Sequence, residues 1–337
     1  MKRTLLAVHP GSIGDVLLAR KALQALRSAH PAHDLGLITR RDVGVLLQAC
    51  QEAHKCFPLE GNALSGLLAG PESTPPDLSQ WLRACDFAVC WVADPGGLRG
   101  TLELTGVSQV VIQSASGGLA GIHQSDYLLR SVEGFGRMSS AALLLRLPEP
   151  IKEQGITTLR SHGLPGDRFV MIHPGSGSLH KCVGAEVLAT VADGLHRRGI
   201  PVVLPVGPAD EDRARSVLDL CQTVPILLRE QDLLEMAGVL ANATLYVGHD
   251  SGLTHLAAAL GVPTLALFGP TDPCRWAPRG RSATVLSGSP CRCEGWESVR
   301  ACADKPCLRI APERILSGCD ELLCAPASAG APVDHSR

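Results

Sequence analysis

The stretch NATLYVGHDSGLTHLAAALGVPTLALFGPTDP, residues 242–273, reads as one complete structural unit. Two short apolar runs, Thr244–Val247 and Thr264–Phe268, each predict a buried strand. Between them Leu253–Leu260 predicts a helix, and Gly261 stands where a left-handed residue commonly ends one. A strand, a tight turn, a helix and a second strand within about thirty residues are typical of a parallel α/β sheet.

The turn GHDSG carries the polar residues of this unit. It delivers Asp250, Ser251 and Gly252 to the start of the predicted helix, where unpaired backbone N–H groups and the helix dipole favour an anion such as a phosphate. Thr254 and His255, in the first turn, add side-chain donors. For this turn alone, a simple helix cap is the plainer interpretation, with His255 packed on the sheet. The GPTDP loop that follows favours a ligand site, because open α/β sheets bind ligands at the carboxyl ends of their strands.

The same alternation of strand and helix runs through most of the chain. Helical periodicity is marked by sets of apolar residues that begin at Leu17, Val187 and Leu233. Further apolar runs predict strands at Thr4–Val8, Leu35–Thr39, Phe87–Val92, Val107–Ile112, Phe169–His173 and Val202–Val206. Strands that alternate with helices imply parallel sheets with right-handed crossovers.

An internal repeat indicates two similar halves. A predicted strand, then His-Pro-Gly-Ser, then a predicted helix occurs at residues 9–12 and again at 173–176. The segment LPEPIKEQG between the halves is rich in proline, charge and glycine, as a boundary would be. We therefore expect a first Rossmann-like domain over 1–155, a second over 156–324, and a disordered tail over 325–337.

The composition fits this architecture and excludes several classes of protein. Hydrophobic residues make up 45% of the 337 residues but aromatic residues only 3%, so the core must be aliphatic, as in buried parallel strands. A net charge of −2 does not suit a nucleic-acid-binding protein. The sequence has no apolar run near the roughly 18 residues that a spanning helix needs, so we expect a cytoplasmic chain.

A second glycine-rich loop, HPGSGSLHK at 173–181, follows the strand predicted at Phe169–His173. It contains Ser176, and Lys181 comes near the start of the next helix. Glycines let a phosphate come close to the protein backbone, and a following ammonium group adds a positive charge. The loop therefore suits a phosphate, although its spacing is not that of a P-loop. A solvated surface lysine is the alternative for Lys181.

A third candidate site is HPGSIGDVLLA at 9–19, in the N-terminal half. Asp15 opens a helix there, after a turn that contains Gly11, Ser12 and Gly14. Its carboxylate is either a cap that complements the helix dipole or a general base that faces a cleft. The residues alone leave both interpretations open.

The 13 cysteines are an odd number, which argues against a disulfide framework. Four of them fall close together near the C-terminus: Cys291, Cys293, Cys302 and Cys307. A structural metal there competes with a reduced loop, and the single-residue gap in Cys291-x-Cys293 is poor for a zinc site, which prefers gaps of about two to four residues. We therefore expect no metal, with this group of cysteines as the alternative.

Together these motifs resemble the ADP-heptose:lipopolysaccharide heptosyltransferases, glycosyltransferase family nine. The DSGLTH segment and the GPTDP loop are similar to the donor-site signature of that family, and GDVLLA is similar to its N-terminal Gly-Asp-Val motif. The resemblance covers roughly residues 1–317 and is strongest over 169–273. It implies the GT-B fold, in which two Rossmann-like doubly wound parallel-sheet domains face each other across a cleft. The first domain would bind the acceptor and the second the nucleotide sugar.

The resemblance also implies roles for individual residues. Asp15 matches the acid proposed as catalytic base, and Lys181 would act on the leaving diphosphate. On the acceptor side lie Gly11, Ser12 and Gly14. The residues that match the donor site, with Glu211 on the ribose, are Ser176, Lys181, Glu211, Asp250, Ser251, Gly252, Thr254 and His255. The chain departs from the family at Val183, where a tryptophan is usual.

The reaction implied by the resemblance is inverting transfer of heptose from ADP-heptose to an acceptor of the lipopolysaccharide-core type or another saccharide. It implies no metal and no cofactor beyond the ADP-linked nucleotide sugar. The implied partners are this donor and a glycolipid or saccharide acceptor, with peripheral contact at the cytoplasmic face of the inner membrane, and no nucleic acid. A nucleotide-sugar epimerase on the same scaffold and a non-catalytic nucleotide-sugar-binding protein stay open. A dehydrogenase is disfavoured, because neither half has G-x-G-x-x-G with an acid about 20 residues on.

Overall fold

The chain forms two compact units, Met1–Arg146 and Leu147–Arg337. A computed structural model describes residues 2–93, 96–117, 121–135 and 144–325. The tail that we expect to be disordered lies outside the described residues from 326 onward.

The first unit is built on a parallel sheet of five strands in the order β3-β2-β1-β4-β5. The strands are β1 (Thr4–Val8), β2 (Asp34–Thr39), β3 (Lys55–Pro58), β4 (Cys85–Cys90) and β5 (Gln109–Ile112). The helices are α1 (Ile13–Ala29), α2 (Arg41–Ala49), α3 (Ala63–Ala69), α4 (Pro76–Leu82), α5 (Leu98–Leu104) and α6 (Gln124–Arg130). The register places Leu5 of β1 between Leu35 of β2 and Phe87 of β4.

The second unit is built on a parallel sheet of six strands in the order β11-β10-β9-β6-β7-β8. The strands are β6 (Val170–His173), β7 (Val202–Val206), β8 (Ile226–Arg229), β9 (Leu245–His249), β10 (Thr264–Phe268) and β11 (Ala283–Ser287). The helices are α7 (Glu149–Ser161), α8 (Ala185–Arg197), α9 (Glu211–Leu218), α10 (Leu233–Leu240), α11 (Gly252–Leu260), α12 (Pro273–Trp276), α13 (Gly295–Ala301) and α14 (Pro312–Cys324).

Both sheets follow one winding scheme. In each unit the second and third strands lie on one side of the first, and the fourth and later strands lie on the other side. The chain therefore reverses its direction of winding between the first and fourth strands, which is the switch point where doubly wound sheets bind ligands. The switch point lies between β1 and β4 in the first unit and between β6 and β9 in the second. The prediction of two Rossmann-like parallel-sheet domains is confirmed.

The cores are aliphatic, as the composition predicts. All five residues of β1, β7, β9 and β10 are buried. Sheets covered by helices on both faces leave no strand face for water, so these strands are continuous apolar runs rather than alternating ones. Because the apolar runs are continuous, these strands can be predicted from the sequence.

The strands that the sequence pattern does not reveal are the outer ones. β3, β8 and β11 each lie at an edge of their sheet. Every residue of β11 is only partly buried, and β3 begins with the charged Lys55. An edge strand has one neighbour and more contact with water, so its sequence is less uniformly apolar.

The second unit begins with a close helix crossing. Gly155 of α7 lies so near Gly238 of α10 that a Cβ at position 155 would stand 2.3 Å from the Gly238 carbonyl carbon. The boundary expected after residue 155 falls inside α7, and this packing places the whole helix in the second unit.

Candidate functional site

In the first unit the candidate site lies at the carboxyl ends of the two switch-point strands. His9 directly follows β1, and Trp91 directly follows β4, with their ring centroids 5.7 Å apart. The Gly11 N–H donates to His9 Nδ1 at 3.2 Å, while burial lowers the pKa of His9 to about 4 and keeps the ring neutral. Its buried Nε2 has no hydrogen-bond partner among the described residues. A neutral imidazole thus packs against the turn at Gly11 and accepts a hydrogen bond from it.

Asp15 caps the helix that it opens, which is one of the two interpretations considered from the sequence. Its Oδ2 accepts hydrogen bonds from the Ser12 N–H at 2.9 Å and the Ser12 hydroxyl at 2.7 Å, which fixes the start of α1. Its Oδ1 has no hydrogen-bond partner within the described part of the chain, and the residue is partly exposed. Gly11 is required here because a Cβ would stand 2.8 Å from the Asp15 Cβ. One carboxylate oxygen therefore caps the helix and the other stays available to accept a proton.

In the second unit the two candidate loops meet at the switch point between β6 and β9. The Lys181 ammonium donates to Asp250 Oδ2 at 2.6 Å, and the Ser176 hydroxyl donates to the Asp250 carbonyl at 2.7 Å. The HPGSGSLHK loop and the GHDSG turn are separated by about seventy residues in the sequence, and parallel strands bring them to the same sheet edge. Ser176, Lys181 and Asp250 thus form one constellation.

The carboxylate of Asp250 is held in its charged form. Burial alone would raise its pKa, but the contact with His255, whose Nε2 is 3.8 Å from Oδ1, and the Lys181 ammonium lower it to about 2. The carboxylate is therefore neutralised by its partners and in turn fixes the position of the ammonium. With a side chain exposed by only 20%, Lys181 is not a freely solvated surface lysine.

The start of α11 has no side-chain cap. Ser251 occupies the capping position, but its hydroxyl lies 3.1 Å from Thr254 Oγ1 and 3.4 Å from His173 Nδ1 instead of accepting from the helix. The simple capping interpretation is therefore wrong for Ser251. The first backbone N–H groups of the helix, from Gly252 onward, remain without a side-chain acceptor among the described residues. They are the donors that an anion at this position would use.

The side chain of Thr254 points into the protein and stabilises the turn. It is fully buried, and its hydroxyl donates to the His249 carbonyl and lies 3.2 Å from the Tyr246 hydroxyl. The donor that the sequence suggests at this position is therefore used inside the turn.

Sequence reasoning missed His249, which joins the two loops. Its Nε2 accepts from the Val183 N–H and its Nδ1 donates to the Gly175 carbonyl, both at 3.1 Å. Burial lowers its pKa to about 3, so the ring is neutral, with one nitrogen that accepts and one that donates. The sequence shows a histidine at the end of a buried strand, but this pattern does not distinguish a histidine that joins two loops from an ordinary core histidine.

Sequence reasoning also missed Asp210, which precedes the acid it selected. Asp210 Oδ2 lies 3.2 Å from His173 Nε2, and a Cβ on Gly175 would collide with Oδ1 at 1.7 Å. Glu211, in contrast, points its exposed carboxylate to Arg229 at the end of β8, 3.1 Å away. Asp210 therefore supports the Gly175 loop from beneath, whereas the carboxylate of Glu211 is accessible.

Two further features of the second unit could take part in ligand binding. In the GPTDP loop, Thr271 has a buried hydroxyl with no hydrogen-bond partner in the described residues. Trp296, half exposed on α13, has its ring centroid 5.6 Å from the Lys181 ammonium. A buried hydroxyl without a partner and an aromatic ring beside an ammonium are groups that a bound ligand can satisfy.

Residues 140–302 match the model of glycosyltransferase family 9 (heptosyltransferase). Over these residues the chain is similar to family 9 glycosyltransferases. The matched segment contains Ser176, Lys181 and Asp250, together with His255. Lipopolysaccharide heptosyltransferase 3 of Escherichia coli is 36% identical over 121 residues, which are 35% of this chain and 36% of that protein. The chain thus aligns with about a third of the length of this curated relative.

The fold extends the likeness beyond the matched segment. The family 9 glycosyl transferase of Veillonella parvula has a TM-score of 0.78 and 21% identity, with 95% of this chain and 97% of that chain covered. ADP-heptose lps heptosyltransferase II of E. coli has a TM-score of 0.73 and 21% identity, with 95% and 98% covered. At this identity the likeness establishes the α/β fold of both units.

Every helix in the part of the chain that the structure describes is too short or too polar to cross a membrane.

Proposed function

We propose that this chain is an inverting glycosyltransferase that takes heptose from ADP-heptose. The observation that carries the proposal is the meeting of Lys181, Ser176 and the uncapped start of α11 at the switch point of the second unit, within the segment that matches family 9. The curated relatives it resembles are named lipopolysaccharide heptosyltransferases, which supports a heptose donor and a lipopolysaccharide-core acceptor.

The diphosphate of the donor would bind at the start of α11. The free N–H groups that begin at Gly252 and the positive end of the helix dipole attract its oxygens, and the absence of a side chain at Gly252 permits close approach. Lys181 adds a full positive charge. Because Asp250 fixes the ammonium before the ligand arrives, the site needs little rearrangement to meet the charge that develops on the departing diphosphate.

The nucleoside would extend toward β7 and β8. Glu211 begins α9 just beyond β7, and its carboxylate is exposed, so it can accept hydrogen bonds from the two ribose hydroxyls. Arg229 orients this carboxylate in the free protein. His255, beside Asp250, and Ser251, at the start of α11, would hold the sugar and phosphate.

The acceptor would bind to the first unit, on the turn formed by Gly11, Ser12 and Gly14. Asp15 would remove the proton from the attacking hydroxyl through Oδ1, while Oδ2 stays bonded to Ser12. The hydroxyl oxygen then attacks the anomeric carbon from the face opposite to the diphosphate, so the configuration inverts and the transition state has oxocarbenium character.

This transfer would require no divalent cation in the reaction itself and no cofactor beyond the nucleotide sugar. The ammonium of Lys181 and the helix start carry the positive charge that Mg²⁺ supplies in other sites. The rate should stay the same when Mg²⁺ and Mn²⁺ are omitted from the assay, and a rate that depends on either ion would contradict this part of the proposal.

A glycolipid acceptor would bring the protein to the cytoplasmic face of the inner membrane as a peripheral partner. Co-sedimentation with vesicles that contain core lipid, compared with vesicles that lack it, measures this contact. Equal recovery with both vesicle types would argue against recognition of the acceptor in the membrane.

The proposed function is tested by incubating the protein with ADP-heptose and a deacylated core acceptor, and analysing both products by mass spectrometry. We expect heptosylated acceptor and ADP in equal amounts, and no change in the donor when the acceptor is omitted. An altered sugar in the absence of acceptor would instead identify an epimerase. Tight ADP binding with neither product would identify a non-catalytic binding protein.

A further inference from the structure

The cysteines near the C-terminus come together in space. We use the name thiol cluster for Cys291, Cys293, Cys302 and Cys307. The sulfur atoms of the first three all lie within 4.8 Å of one another, and those of Cys291 and Cys293 are 2.9 Å apart. Cys307 lies outside this group of three, but its thiol and that of Cys291 influence each other's pKa. All four are free thiols.

This spacing suits a metal centre. In a tetrahedral thiolate site with metal–sulfur bonds of about 2.3 Å, the sulfur atoms are separated by about 3.8 Å. The first three sulfurs are all within 4.8 Å of one another, and Cys291 and Cys293 need to open by only about 1 Å to reach this separation. The short Cys291-x-Cys293 gap is accommodated because the two other ligands arrive from a separate turn after α13.

The segment that carries the thiol cluster has almost no core of its own. Between 289 and 306, Val299 is the buried side chain, and the others are partly or fully exposed. Two short helical elements and their connecting turns cannot bury enough apolar surface to order themselves, and small segments of this kind depend on metals or disulfides. The structure nevertheless gives this segment a defined path.

The turn after α13 is shaped around a sulfur atom. The Lys305 N–H donates to Cys302 Sγ at 3.3 Å, and the Lys305 ammonium donates to the Cys302 carbonyl at 2.5 Å. Lys305 adopts a left-handed conformation, with φ at +40°, which a lysine rarely does without a compensating interaction. N–H donors to sulfur are a regular feature of thiolate ligands, whose negative charge they stabilise.

The other side of the cluster is equally close-packed. A Cβ on Gly288, which precedes Cys291, would stand 2.3 Å from the Pro306 carbonyl oxygen. The Gly288 N–H donates to the Cys307 carbonyl at 2.9 Å, and the Ser289 N–H donates to the Pro306 carbonyl at 3.1 Å. The backbone thus holds the two halves of the cluster against each other.

We propose that the thiol cluster binds one thiophilic divalent cation, Zn²⁺ or Fe²⁺, as a structural site. Sulfur ligands in a tetrahedral arrangement select these ions over Mg²⁺ or Ca²⁺. Each thiol that binds loses its proton to solvent, so the reaction is a ligand exchange with no change in oxidation state. The site is distinct from the constellation at Lys181 and takes no part in the transfer step.

The metal would order α13 and thereby position Trp296. This residue lies in the short helix between Cys293 and Cys302, with its ring beside the Lys181 ammonium. A metal that fixes both ends of α13 therefore fixes the ring next to the phosphate-binding lysine. This second step rests on the proposed function, whereas metal binding itself does not.

The metal content of the full chain, purified without a histidine tag under anaerobic conditions, tests the site directly. We expect about one equivalent of zinc or iron per chain, because four thiolates complete one tetrahedral site. The variants Cys291→Ser and Cys302→Ser should lose the metal. Cys274→Ser and Cys324→Ser are matched controls, because these cysteines are exposed and lie outside the cluster, and they should keep it.

The inference is overturned if the wild-type chain contains less than about 0.1 equivalents and takes up neither ion on reconstitution. It is overturned equally if Cys302→Ser keeps a full equivalent, or if the thiols form a Cys291–Cys293 disulfide in the anaerobic protein. Since metal content is read from the wild-type chain, a variant that fails to fold does not affect this result.

ADP binding measured by calorimetry tests the second step. Removing the metal with an organomercurial and a chelator should weaken ADP binding by roughly two- to five-fold, the range expected for losing an exposed contact between an aromatic ring and a cation. Trp296→Ala should do the same with metal content unchanged, and Trp296→Phe should restore most of the affinity. If the metalled wild type fails to bind ADP at all, the proposed function fails while the metal site stands. If ADP binds equally with and without metal, only the link through Trp296 is overturned.

Discussion

Replacing Asp250 with asparagine should destabilise the second unit in a way that depends on pH. The pKa of Asp250 is lowered from 3.8 to about 2, against the effect of burial, by His255 and Lys181. At about 1.4 kcal/mol for each factor of ten in proton affinity, this difference corresponds to about 2 kcal/mol of stability. Because the folded-state pKa is the lower one, the stabilisation is complete above pH 3.8 and is lost as the pH falls toward 2.

The measurement is urea denaturation of wild type and Asp250→Asn at pH values from 7 down to 2. We expect the free energy of unfolding to differ by about 2 kcal/mol at pH 7, and the difference to disappear near pH 2. Asp320→Asn is a matched control, because it removes an ion pair with Arg198 that is exposed to solvent. The side chains of Arg198 and Asp320 are 37% and 47% exposed. That variant should change the stability by less than about 1 kcal/mol. Equal stability of Asp250→Asn and wild type at pH 7, or a deficit that persists at pH 2, would refute the assignment of this energy to charge.

Other changes test the remaining parts of the site and fold. Asp15→Asn keeps an oxygen for Ser12 but removes the base, so kcat should fall by roughly 10²- to 10⁴-fold while ADP binding by calorimetry stays the same; a loss of only a few-fold would leave Asp15 as a cap. His249→Ala leaves the Val183 N–H buried without an acceptor, so the free energy of unfolding should fall by about 1–3 kcal/mol and ADP binding should weaken. Unchanged values in both assays would contradict the place of His249 between the two loops. Gly155→Ala should cost about 1–3 kcal/mol in chemical denaturation because the added methyl meets the backbone of α10, and a neutral result would mean that the helices can separate freely.

The inner strands of both sheets could be predicted from the sequence, and of the four edge strands only β5 could. Thr4–Val8, Val202–Val206 and Thr264–Phe268 have the predicted bounds, because each is buried on both faces and is therefore apolar throughout. β8 and β11 are edge strands whose partial burial leaves no such run. The apolar pattern therefore predicts a strand most reliably where the strand is buried on both faces.

The candidate site could be predicted where a residue type is rare at its position, and not where it is common. Lys181 after a glycine-rich loop stands out, and the structure brings it to Asp250 as expected. His249 and Asp210 act through a neutral ring and a supporting carboxylate, which look in the sequence like ordinary buried or capping residues. The proximity of Cys302 to Cys291 and Cys293 could not be predicted, because spacing along the chain does not reveal which turn returns to a given loop.

The crossing of α7 and α10 has a consequence for engineering. Because Gly155 anchors the incoming helix to the second unit at backbone distance, a splice between Arg146 and Leu147 would leave that unit with its own first helix intact. N-terminal halves from divergent relatives can then be exchanged on a constant C-terminal half, and such chimeras test the proposal that the first unit selects the acceptor.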